Sequence, residues 1–184
     1  MSQLYTLTAP RGAGKTTFCR ALVDLAQAAG RDVAGLLSPA IFENGLKTGI
    51  LTQDLRTGET RVLARASAYA DQPAFDLHLG HWRFDRAVLE WGNQILTGDL
   101  TCDLLLVDEL GPLELIQSTG WVNGLEALRQ ARYRWGLVVV RPELLAAARQ
   151  VLPVAQDIPL DPAKDPARQA QVWWESSHNA SRAR

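Results

Sequence analysis

The residues APRGAGKTT, positions 9–17, follow the strand-like run QLYTLT and lead into an amphipathic stretch. In that stretch Phe18, Leu22, Leu25, Ala26 and Ala29 recur at helical spacing, with Gly30 as a stop. A strand, a glycine-rich loop and a helix in this order hold a phosphate chain. Backbone N–H groups at a helix N-terminus are ready donors, and glycines let the backbone close around the anion. Gly12 and Gly14 supply that freedom, and Pro10, Arg11, Ala13 and Thr17 complete the cradle. The pattern expects Lys15 to reach the β- and γ-phosphates and the Thr16 hydroxyl to ligate Mg²⁺. Ala9 stands where the pattern begins with glycine, which requires an ordinary negative φ there. Arg11 has two readings, leaning over the terminal phosphate or pointing into water.

A loop of this kind needs a sheet behind it, and the rest of the chain provides strands. VAGLL (Val33–Leu37) reads as a buried strand closed by Ser38-Pro39. CDLLLVDELG and GLVVVR read as two more, and a weaker strand lies near 154–158. Helices are expected over 84–96, over 121–135 and from Pro142 onward, where proline suits a first turn. Residues 46–64 differ: two extended stretches flank DLRTGE, so a small β-hairpin is inserted between the second strand and the next helix. The reading is one α/β domain over residues 1–160 with a mainly parallel central sheet. Residues 161–184 are expected to form a C-terminal tail, partly packed and then frayed.

What happens to the bound phosphate is written in LLLVDELG. Four apolar residues form a strand buried on both faces, and two acids stand at its carboxyl end, where open α/β sheets place their ligand crevice. Asp108 takes the metal-side role, in the Mg²⁺ shell with Thr16. Glu109 is then left to orient a water for in-line attack. A phosphotransferase gains nothing from a water-activating acid, so the pair favours hydrolysis. Arg141, at the end of GLVVV, is expected on the same edge, as a cation for the transition state or as a solvated helix-start arginine.

Composition narrows the partners. A formal net charge of −1 gives no nucleic-acid footprint, and only Lys15, Lys47 and Lys164 are lysines. No signal peptide or membrane span is read, and Cys19 and Cys102 have neither metal nor redox spacing, so a cytoplasmic protein with two reduced thiols is expected. His78 and His81 in HLGH have metal-like spacing without a third ligand nearby. Trp82 in GHWRF is either packing or a platform for a base.

The chain resembles the small P-loop nucleoside-triphosphatases first described from thermophiles, a family that includes the human cancer-related nucleoside-triphosphatase. Three blocks carry the resemblance: APRGAGKTT, then VAGLLSPAIFENGLKTGILTQDLRTGETRVLAR, then VDELGPLEL, together about the first 115 residues. The resemblance implies a RecA-like, three-layer core and slow, Mg²⁺-dependent hydrolysis of several nucleoside triphosphates, ATP and GTP among them. It also implies the roles given above for Lys15, Thr16, Asp108 and Glu109. Two other readings share the loop. A small-molecule or nucleotide kinase would recruit Arg56, Arg61 and Arg65 as a lid, and a nucleotide-gated binding module would use the triphosphate only as a signal. The residues name no protein partner.

Overall fold

The computed structural model describes residues 2–182. The chain opens with β1 (Gln3–Thr8), the phosphate-loop segment, α1 (Lys15–Ala28) and β2 (Val33–Leu37). Five strands follow: β3 (Ala40–Glu43), β4 (Leu46–Asp54), β5 (Thr60–Ala66), β6 (Leu77–Leu79) and β7 (Trp82–Phe84). Then come α2 (Arg86–Ile95), β8 (Cys102–Leu110), the short α3 (Pro112–Leu115), α4 (Val122–Gln130) and β9 (Tyr133–Val140). The last elements are α5 (Leu145–Val151), β10 (Val154–Pro159) and α6 (Pro166–Arg182).

All the strands share one sheet in the order β10-β1-β9-β8-β2-β4-β5-β7-β6, with β3 beside β4. The half from β10 to β2 is parallel throughout. From β2 outward every pairing is antiparallel, so β3 to β7 form a wing on the parallel core. Alternation along β8 shows the layering. Leu104 and Leu106 point to a core shared with α1 and α6, while Leu105 and Val107 point to a core shared with α2, α4 and α5. Helices therefore cover both faces, as the near-continuous apolar strands require. The mainly parallel central sheet in three layers agrees with the fold expected from the sequence. No helix among the described residues is long and apolar enough to cross a membrane.

Three segments differ from expectation in ways with a physical cause. The hairpin at 46–64 is β4 and β5, but β4 also pairs with β2 through Leu36↔Asp54 and Leu37↔Gln53. It is thus an extension of the main sheet. The wing begins earlier than 46, at β3, whose turn uses Asn44 at φ 51° and Gly45 at φ 77°, the positive angles a two-residue hairpin needs. The helix expected over 121–135 stops at Gln130, because Tyr133 and Trp135 pair with Cys102 and Leu104 of β8 and become core residues. Helical spacing continues through that stretch, yet a central strand buries these aromatics better.

Where a partly packed tail was expected from Asp161, the chain forms α6, which packs on α1 with Ala170 and Trp174 buried. Trp173 meets Tyr5 edge-on at 5.1 Å between ring centroids, and Trp174 lies 5.2 Å from Trp135. Residues 183–184 of that tail lie outside the described residues. The first residue of α6, Pro166, abuts the phosphate loop. A Cβ on Gly14 would stand 2.4 Å from its Cγ, and Gly14 also takes φ +85°, so position 14 is closed to any side chain on two counts.

Candidate active site

The strand order determines what meets at the carboxyl edge of the parallel strands. β9 lies between β1 and β8, so the loop after β1, the acids ending β8 and Arg141 after β9 converge there. Gly12 and Gly14 hold φ of +81° and +85°. Ala9 is buried, and the only non-glycine residues with positive φ among those described are Asn44 and Ser118, so Ala9 has the ordinary backbone its side chain requires. Ala13 N–H donates to Pro10 O at 3.3 Å, closing the loop, and Phe18 N–H donates to Gly14 O at 2.9 Å, starting the helix. Lys15 is buried, its Nζ donating to Ala9 O at 2.8 Å and Pro10 O at 3.0 Å. Arg11 and Thr17 are exposed, and Thr16 is half-buried.

Asp108 is 2 % exposed. Between Val107 and Leu110 the register of β8 against β9 shifts by one residue, a bulge that re-aims Asp108 and Glu109 out of the ladder. The Asp108 carboxylate accepts from Ser38 N–H at 3.3 Å and is hydrogen-bonded by the Thr16 side chain. The Ser38 hydroxyl donates to the backbone carbonyl of the same aspartate. Burial, and then the neighbouring Glu109 charge, push Asp108 up to about 7, against the pull of Ser38, Thr16 and Lys15. A buried carboxylate beside a second acid, with a hydroxyl at hand, fits a hard divalent cation: oxygen donors and uncompensated negative charge.

Glu109 and Arg141 meet directly, Arg141 Nε donating to Glu109 Oε1 at 2.6 Å. Arg141 is thus paired with the second acid, with 40 % of its side chain still exposed. Lys47 was absent from the candidates found by motif, since no spacing rule connects position 47 to a phosphate loop. It carries a lowered pKa, from loss of hydration and then the Arg11 charge, partly offset by Glu109 and Asp108. Trp82 holds Lys47 Nζ 5.4 Å from its ring centroid and packs His81 at 4.8 Å, so its surroundings are protein. His78 and His81 gain no third ligand: among the described residues no three His, Cys, Asp or Glu side chains gather as a metal-binding group. Cys19 is buried and Cys102 half-buried, both as free thiols.

Glu114 is a second residue that motif reasoning left without a role. Its buried carboxylate accepts from Gly111 N–H at 2.7 Å and Trp121 N–H at 2.8 Å, pinning the segment that follows the two acids. The legible signal was a glutamate three residues after Gly111, the spacing of a capping glutamate. Gly120, at φ +71°, lets the carboxylate approach. Glu114→Leu is expected to cost about 2–4 kcal/mol in a urea titration, since two buried N–H groups lose their acceptor. Glu114→Gln retains one acceptor oxygen and is expected to cost about half as much.

Comparison with known proteins adds to this geometry. A protein-family model described as NTPase matches residues 4–139, which include the loop, the wing and both acids but end before Arg141 and α6. The nucleoside-triphosphatase THEP1 of Ignicoccus hospitalis is 34 % identical over 109 residues, 59 % of this chain and 59 % of that protein. The chain thus aligns with less than two thirds of that relative's length. The THEP1 of Methanosarcina acetivorans is 29 % identical over 127 residues, 68 % of this chain and 69 % of the relative. The solution structure of a human cancer-related nucleoside triphosphatase superposes with a TM-score of 0.67 over 95 % of this chain and 96 % of its own, at 17 % identity. The crystal structure of THEP1 from Aquifex aeolicus gives 0.57 over 94 % and 96 %, at 15 % identity. At such identities the two structures speak to the fold, which is that of this chain. With residues 4–139 of 184 matched by the family model and the phosphate loop and paired acids in place on the sheet edge, the chain belongs to the NTPase family.

Proposed function

We propose that the protein hydrolyses nucleoside triphosphates to diphosphate and phosphate, slowly, with Mg²⁺ and with broad acceptance of the base. The observation that carries this reading is the Glu109 carboxylate, held by Arg141 at 2.6 Å beside buried Asp108 and on the edge where the phosphate loop opens. Loop N–H groups from Arg11 to Thr17 donate to the phosphate oxygens, and Lys15 exchanges the carbonyls of Ala9 and Pro10 for them. Thr16 and Asp108 are the residues that would hold the metal ion. When bound, Mg²⁺ offsets charge on the transferring phosphoryl group. Glu109 accepts a hydrogen bond from water and aims it for in-line attack, while Arg141 holds Glu109 Oε1 and brings positive charge to the same place. The names of the THEP1 relatives agree with this reaction.

The arginines that a kinase lid would require are engaged elsewhere. Arg56 donates to Asp99 O, Thr101 O and Asp32, Arg61 pairs with Glu59 over the Trp91 ring, and Arg65 pairs with Glu43. This supports water over a second substrate as the acceptor. The test is phosphate release from ATP, GTP, CTP and UTP with Mg²⁺ and no added acceptor. Release from all four, abolished by EDTA, is expected. Tight nucleotide binding without release would redirect the reading to transfer or signalling.

A further inference from the structure

Four cations gather around the two acids. Asp108 interacts with Lys15 and Glu109, and Lys47 interacts with Arg11, Arg141, Glu109 and Asp108. Three of the cations come from elements that the nucleotide fold itself supplies. Lys47 comes from the wing, and the path of the wing explains how it arrives.

β4 pairs antiparallel with β2, so the beginning of β4 lies toward the edge where β2 ends and Ser38 meets Asp108. Pro39 and Ala40 continue the contact, with Leu51 N–H donating to Pro39 O at 2.8 Å and Ala40 opposite Ile50. Two register shifts, between Ile41 and Phe42 against β4 and between Ile50 and Leu51 against β5, bend the β3–β4 hairpin. Lys47, two residues from the turn of that hairpin, lies within electrostatic reach of Arg11, Arg141 and both acids. Trp82, on β7, then steadies the ammonium at 5.4 Å from its ring.

We propose that Lys47 is a substrate-contacting residue of the phosphate site, delivered by the wing, that binds the terminal phosphate of a nucleoside triphosphate. The inference rests on the hydrolase reading for its reaction but not for its binding contact. Charge supports it. A triphosphate with one divalent cation carries a net charge of about −2. Arg11, Lys15, Lys47 and Arg141 against Asp108 and Glu109 leave a formal excess of two positive charges to meet it. Without Lys47 half of that excess is gone. Diphosphate, seated in the loop, would not touch Lys47.

The experiment compares wild type, Lys47→Met and Lys47→Arg, with Mg²⁺ throughout. Binding of a fluorescent nucleoside diphosphate and of a non-hydrolysable triphosphate analogue is measured beside phosphate release. Lys47→Met is expected to weaken the triphosphate analogue about 10-fold or more, leave the diphosphate within about twofold, and slow release about 10²-fold. Lys47→Arg is expected to restore most of each, since the charge returns. Equal losses for diphosphate and triphosphate, unrescued by arginine, would mean that Lys47 only supports the hairpin and would overturn the proposal. So would normal release and normal binding in Lys47→Met, which would leave the hydrolase reading intact. A wild type that releases no phosphate, yet loses triphosphate preference in Lys47→Met, would sink the hydrolase reading and sustain the Lys47 contact.

Discussion

Glu109→Gln is expected to slow phosphate release by about 10²–10⁴-fold while nucleotide affinity stays within a few fold. The amide keeps the size of the side chain and an oxygen for Arg141, but loses the negative charge that aims the water. The fold is expected to survive. The Glu109 and Arg141 side chains are 31 % and 40 % exposed, and pairs in such surroundings contribute up to about 1 kcal/mol. The measurement is turnover beside fluorescent-nucleotide binding on the same preparations. If binding were to fall in step with turnover, Glu109 would belong to the phosphate cradle and the division of labour between it and Lys15 would be wrong.

Asp108→Asn is expected to move activity and stability in opposite directions. Removing the buried carboxylate removes the charged ligand for the metal, and a loss of about 10³-fold or more in Mg²⁺-dependent release is expected. In EDTA, without nucleotide, the same change is expected to stabilise the fold at pH 8. The sign follows from the pKa. Burial raises Asp108 from 3.8 to about 7, so the native state favours the protonated form. Its contribution is fully present below about pH 4 and is lost as pH rises through about 7, a penalty of about 2–4 kcal/mol at pH 8. Asparagine carries no charge to desolvate. Urea titrations of both proteins should therefore diverge at pH 8 and converge near pH 4. A variant less stable than wild type at pH 8 would show that the hydrogen bonds from Thr16 and Ser38 outweigh the burial of charge.

The local part of the candidate site is legible in the sequence because the chemistry it proposes is local. Gly12, Gly14, Lys15 and Thr16 lie within one turn-and-helix start, where spacing alone dictates which groups face a phosphate. Asp108 and Glu109 were legible because a buried strand must end at the ligand edge of a parallel sheet. Lys47 and Glu114 escaped for opposite reasons. Lys47 reaches the site only through an antiparallel hairpin bent by two register shifts, which no short window encodes. Glu114 sat in the open, inside VDELGPLEL, but its task of accepting from Gly111 and Trp121 exists only once the chain has turned after β8.

The same division runs through the fold. The glycine-rich loop, the helix behind it, the buried parallel strands and the acids at their end follow from short stretches of residues, since glycine φ freedom, apolar runs and helical spacing act over a few positions. That the helix stops at Gln130 and a strand begins at Tyr133 follows from packing across the sheet, where a place beside β8 buries Tyr133 and Trp135. The tertiary structure also decided that the wing joins the main sheet, that Pro166 of the C-terminal helix closes on Gly14, and that Arg141 takes Glu109 as its partner. Those outcomes depend on contacts between segments from about 16 to about 150 residues apart, whose free energies are set by burial and charge in the assembled core.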